Sequence, residues 1–88
     1  MKYTVQIERR AEKELDNLSP VDSRRLVQKI LALEANPIPS NSLALQHPLS
    51  GYRLRVGSWR VFYHVDHKSR TILVYAVRHR REAYRRSH

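Results

Sequence analysis

The chain has no cysteine, which excludes a disulfide framework and thiol chemistry and fits a reducing cytosol. No apolar run is long enough for a secretory signal or a membrane span, so no membrane partner is expected. Internal repeats, low-complexity stretches and linkers are also missing. Acidic residues are scarce: 8 Asp and Glu stand against 17 Lys and Arg, giving a net charge of +9 and a pI near 10.7. A charge of that size on 88 residues attracts polyanions such as RNA, DNA or an acidic protein, and does so in a salt-sensitive way. The 41% apolar content argues for a folded chain, and the length allows one core. These features describe a soluble, basic, cytoplasmic domain.

Tyr3, Val5 and Ile7 alternate with polar residues, as in a half-buried strand. Ala11, Leu15 and Leu18 then follow at helical spacing. Ser19-Pro20 ends that helix and opens another, with Ser19 as N-cap, Pro20 at the first helical position and Asp22 at the positive helix end. The second helix carries Leu26, Val27, Ile30, Leu31 and Leu33 on one side, and Asn36-Pro37 stops it. Residues 36–50 form a long connection with prolines, of a kind that is often functional or partner-facing; a loop that folds back with Leu43 and Leu45 tucked against the core edge accounts for it at least as well. The strand TILVYAVR near 71–78 is apolar on both faces, Ile72, Val74 and Ala76 on one and Leu73, Tyr75 and Val77 on the other. It therefore belongs inside a sheet. A short basic tail, expected to be helical, ends the chain. The order β-α-α-β-β-β predicts an α+β fold, a twisted and mainly antiparallel sheet with two helices on one face.

Between these elements lies GYRLRVGSWRVFYH, residues 51–64. Gly57-Ser58 reads as a two-residue hairpin loop, which sets Val56 opposite Trp59, Arg55 opposite Arg60, Leu54 opposite Val61 and Arg53 opposite Phe62. Opposed residues share a face. One face is then apolar, from Tyr52 to Val65, and the other carries Arg53, Arg55, Arg60, Phe62 and His64. Guanidinium groups gathered this way repel one another, and a polyanion relieves that repulsion. The last strand delivers His79 and Arg80 at its end, and Tyr84 shares a helical face with Arg80. This group is expected to aim at the arginine face. Arg78 and Arg81 add solvated tail charge that can touch phosphate.

These residue types suit cleavage of an RNA phosphodiester by its own 2′-hydroxyl. Arginines can clamp the phosphate and stabilise the charge that develops on its oxygens. Phe62 or Tyr84 can stack on an unpaired base. Arginine is a poor base at neutral pH, so base work falls to Tyr84 and the acid stays open between Arg80 and His79. His64 and His67 alone make a weak metal spacing, and no metal or cofactor is expected.

The opening strand and helical hairpin, LSGYRLRVGSWRVFYHVD and VYAVRHRREAYR together resemble the RelE/ParE superfamily of toxins from toxin–antitoxin pairs, over nearly the whole chain. The ending is similar to the RelE branch, whose members are mRNA interferases that cut messenger RNA in the ribosomal A site. The resemblance implies one RelE-like toxin domain over residues 1–88 and a metal-independent, ribosome-dependent endoribonuclease that inhibits translation. It implies Arg53 and Arg55 as basic residues of the second strand, Arg60 as the phosphate-stabilising arginine and Arg80 as the donor to the leaving oxygen. It implies Tyr84 as the tyrosine that stacks on and orients the substrate. Some RelE toxins have lysines in place of Arg53 and Arg55. The resemblance further implies a RelB-like antitoxin as neutralising partner, with the ribosome and mRNA as targets. Two rivals remain open, a ParE-like gyrase poison and a non-catalytic relative that binds nucleic acid or antitoxin.

Overall fold

A computed structural model describes residues 2–47 and 50–85, without the side chains of Tyr84 and Arg85. Its elements run β1 (Thr4–Ile7), α1 (Arg9–Asp16), α2 (Pro20–Leu31), a 3-10 turn (Ala32–Glu34), β2 (Ser42–Ala44), β3 (Tyr52–Val56), β4 (Trp59–Asp66), β5 (Thr71–His79) and α3 (Arg80–Arg85). The sheet order is β1-β5-β4-β3-β2. Among the described residues only the β1–β5 pair is parallel, and β5 is interior, as its two apolar faces require. The fold is α+β, with α1 and α2 against one sheet face.

Local chemistry sets the helices. The Ser19 hydroxyl accepts the Asp22 N–H at 3.2 Å, and Pro20 occupies the first helical turn, which separates α1 from α2. Ala11 and Leu15 of α1, with Leu26 and Ile30 of α2, bury against Leu54, Val56, Val61, Tyr63, Ile72, Val74 and Val77 of the sheet. Leu31 departs from the expected apolar stripe and is half exposed, while Leu33 turns inward through the 3-10 turn.

The long connection contains a strand that the sequence pattern does not announce. β2 pairs antiparallel with β3, Leu43 opposite Arg53. This register places Leu43 on the arginine face, so it is 62% exposed rather than tucked into the core. Ser42 is the buried residue here, its hydroxyl donating to the Pro39 carbonyl at 2.8 Å.

Gly51 has φ +94°, and a Cβ there would lie 2.5 Å from the Tyr63 carbonyl oxygen and 2.8 Å from His64 Nδ1. Both strain and collision oppose a side chain. Gly51→Ala is expected to destabilise the fold by about 1–3 kcal/mol, read as a lower urea midpoint with unchanged slope. An unchanged midpoint would show that the β3 entrance relaxes freely.

The strand register contains one irregularity that shapes the open face. β4 and β5 pair Phe62 with Ala76 but Tyr63 with Val74, so Tyr75 is an extra residue in β5. A bulge of this kind reverses the alternation beyond it. Val77 therefore joins Val61 on the core side and Ala76 joins Phe62 on the open side, the opposite of simple alternation. Arg78 now sits opposite Arg60, and His79 sits opposite Trp59.

Candidate nucleic-acid interface

The hairpin register is the one expected: Val56 opposite Trp59, Arg55 opposite Arg60, Leu54 opposite Val61 and Arg53 opposite Phe62. With the bulge, Arg55, Arg60 and Arg78 form one row across β3, β4 and β5, on strands about 4.8 Å apart. Arg53 and Phe62 lie in the next row.

The three arginines of the row are not equivalent. Arg55 is exposed, while its backbone is held twice by Asn41. Its N–H donates to the Asn41 carbonyl at 3.0 Å, and Asn41 Nδ2 donates to the Arg55 carbonyl at 2.8 Å. An exposed cation thus rises from a fixed base. Arg60 is 6% exposed, and its Nη1 donates to the carbonyls of Gly57 at 2.9 Å and Trp59 at 2.8 Å. It braces the hairpin loop, and its other guanidinium N–H groups remain for an anion.

Arg78 departs from the expected solvated tail charge. It is 6% exposed, forms an ion pair with Glu14 of α1 and donates to the Val77 carbonyl at 3.1 Å. Glu14 also accepts the Val77 N–H at 2.8 Å. β1 pairs with β5 only as far as Val74, so Glu14 satisfies the strand edge that β1 leaves open. Repulsion within the row is thereby relieved by backbone carbonyls and one carboxylate. Glu14 is a residue the sequence reading missed. It lies one turn after Ala11, next to Leu15 and four before Leu18, and a carboxylate in an apolar stripe signals a buried partner.

Arg80 begins α3, and its N–H donates to the Ser58 carbonyl at 2.7 Å, which pins the helix to the hairpin loop. The Arg80 and Arg81 side chains are exposed. His79 does not join the arginine row. It shares the face of Trp59, whose ring it meets edge-on at 5.3 Å, and its Nδ1 accepts the Arg81 N–H at 3.4 Å. The Tyr84 side chain lies outside the described residues, although its position in α3, four after Arg80, is helical.

Past Phe62, the open face carries rings. His64 stacks on Tyr75 with centroids 4.8 Å apart, and Phe62 meets Tyr75 at 6.2 Å. Burial pushes the Tyr75 phenol above its usual pKa. His67 bonds the Tyr3 hydroxyl at 2.7 Å, so His64 and His67 do not converge.

Residues 5–84 match the profile described as the ParE toxin of the type II toxin–antitoxin system parDE. The chain belongs to the RelE/ParE superfamily. It is a toxin of a type II toxin–antitoxin system. RelE1 of Methanocaldococcus jannaschii is similar at 34% identity, over 97% of this chain and 98% of that protein. Among solved structures, the archaeal RelE–RelB complex from Pyrococcus horikoshii matches with TM-score 0.77 and 30% identity, covering 91% of this chain and 97% of that one. The RelBE2 toxin–antitoxin complex from Mycobacterium tuberculosis matches with TM-score 0.82 and 27% identity, covering 91% and 100%. A double mutant of the E. coli toxin RelE in the free state shares the fold, at TM-score 0.78 and 23% identity over 99% and 93% of the chains. In this superfamily member, no helix among the described residues is long and apolar enough to cross a membrane.

Proposed function

We propose that this toxin is a ribosome-dependent endoribonuclease that cuts mRNA in the ribosomal A site and is neutralised by a RelB-like antitoxin. The observation that supports the reading is that exposed Arg55 lies opposite the braced Arg60, while exposed Arg80 opens α3 at the same hairpin loop that Arg60 braces. The β3 backbone at Arg55 is clipped by Asn41, and α3 is tied to the loop at Ser58, so both cations stand on fixed supports. Preorganised donors are what a developing phosphorane charge requires.

In the proposed reaction the 2′-oxygen bonds to phosphorus and the bond from phosphorus to the 5′-oxygen breaks. A cyclic phosphate and a free 5′-hydroxyl result. Arg55 and Arg60 hold the non-bridging oxygens, and Arg53 extends the positive field along β3. Arg80 gives a proton to the departing 5′-oxygen, which as an alkoxide is basic enough to take one from guanidinium. Tyr84, entering the step as tyrosinate, accepts the 2′-hydroxyl proton and stacks on the neighbouring base. His79 is turned to Trp59 and the Arg81 N–H, so it takes no proton in this scheme. Arg81 adds attraction for the backbone, whereas the Arg78 charge is taken up by Glu14.

The test is primer extension on a defined message in a reconstituted translation system. Cuts within A-site codons are expected with ribosomes and absent without them, and a RelB-like antitoxin should suppress them. An intact message with folded toxin would overturn the reading. DNA breaks in a gyrase assay would then favour the ParE-like alternative.

A further inference from the structure

Three aromatic rings on the open face have no part in the core. Leu54, Val61, Tyr63, Ile72, Val74 and Val77 complete the core from the opposite side of the sheet. Phe62, His64 and Tyr75 are half-buried and reach solvent. Their positions are nevertheless fixed. The bulge puts Tyr75 beside Ala76 on this face, and Tyr75 stacks on His64 with an interplanar angle of 22°. The His64 ring also lies close to Gly51, where a Cβ would come within 2.8 Å of Nδ1. A ring already packed against a second ring gives up little freedom when a ligand arrives.

We propose that Phe62, His64 and Tyr75 form a stacking platform for unpaired bases, next to the arginine row that holds the backbone. The proposal rests on the endoribonuclease reading for its substrate class, single-stranded RNA. Along β4, Phe62 and His64 lie two and four residues from Arg60, roughly 7 and 13 Å at strand rise. A strand whose phosphate sits at Arg55 and Arg60 therefore lays its following bases over the rings. Arg53, opposite Phe62, accompanies the backbone past this point. Charge selects the occupant. The net charge is +9, and the row beside the platform is cationic. The nearest acid on these faces of β4 and β5 is Asp66, at the far end of β4. A polyanion that also carries flat aromatic groups matches both halves of the surface.

The test measures binding of the full chain to two short oligomers of equal length and charge, oligoadenylate and its abasic counterpart, by fluorescence anisotropy. Wild type is expected to prefer oligoadenylate. Tyr75→Leu and His64→Ala should each weaken oligoadenylate binding by about five-fold or more. Their affinity for the abasic oligomer and the salt slope should stay unchanged, and Tyr75→Phe should keep the preference. Either variant alone carries the reading if the other fails to fold. Equal wild-type affinity for both oligomers overturns the platform. So does an unchanged preference in folded Tyr75→Leu and His64→Ala, or weakened capture of an acidic apolar antitoxin peptide with oligoadenylate binding unaffected. Base-dependent binding without mRNA cleavage keeps the platform and removes the nuclease. Cleavage without base preference does the reverse.

Discussion

Glu14→Ala is expected to destabilise the toxin by about 2–4 kcal/mol, the largest of the stability effects the structure points to. The substitution removes the partner of Arg78, which is 6% exposed, and the acceptor of the Val77 N–H. A buried pair broken on one side costs roughly 3–5 kcal/mol because a charge is stranded. The lower end of the range applies here, since Glu14 is 25% exposed and water can partly replace it. Glu14→Gln should cost less, because an amide oxygen still accepts from Val77. Removing Arg78 together with Glu14 should cost less than the two single changes added, which a double-mutant cycle reads directly. Urea unfolding is the measurement, and a loss below about 0.5 kcal/mol for Glu14→Ala would place this pair with ordinary surface ion pairs.

The reach of the sequence can be judged from the same residues. The hairpin register follows from short-range facts, two loop residues and a strict alternation, and Leu54 opposite Val61 needs nothing from elsewhere in the chain. The Ser19 cap is equally local. The bulge at Tyr75 has no such signal: no glycine marks it, and Tyr-Ala-Val reads as smooth alternation. It shows only in the pairing of β5 with β4, and it moves Arg78 into the arginine row and turns His79 away. β2 is hidden for a related reason, because three residues hold a strand only when the free edge of β3 is there to pair with. The inference from clustered arginines to a polyanion also needed the structure. Arg60 finds two backbone carbonyls and Arg78 finds Glu14, partners that side-chain pattern does not display.

Those partners separate the arginines by what their loss should do. Arg55→Ala and Arg80→Ala remove exposed side chains, so stability should move by no more than about 0.5 kcal/mol. On the proposed mechanism each removes a donor to charge that forms in the transition state. The rate of A-site cleavage should fall about 10²–10³-fold. Arg60→Ala should lose activity on that scale and also stability, by about 1–3 kcal/mol, because the Gly57 and Trp59 carbonyls lose their donor. Arg60→Lys is the informative companion. A single ammonium keeps the charge and can reach a carbonyl, but it lacks the planar fork that serves a carbonyl and a phosphate at once. It should recover part of the stability and little of the rate. Single-turnover cleavage and urea unfolding on the same four variants give both axes. If Arg55→Ala and Arg80→Ala cut as well as wild type while folded, the catalytic centre lies elsewhere on this sheet. If they lose activity only by unfolding, these side chains hold structure rather than presenting cations to a phosphate.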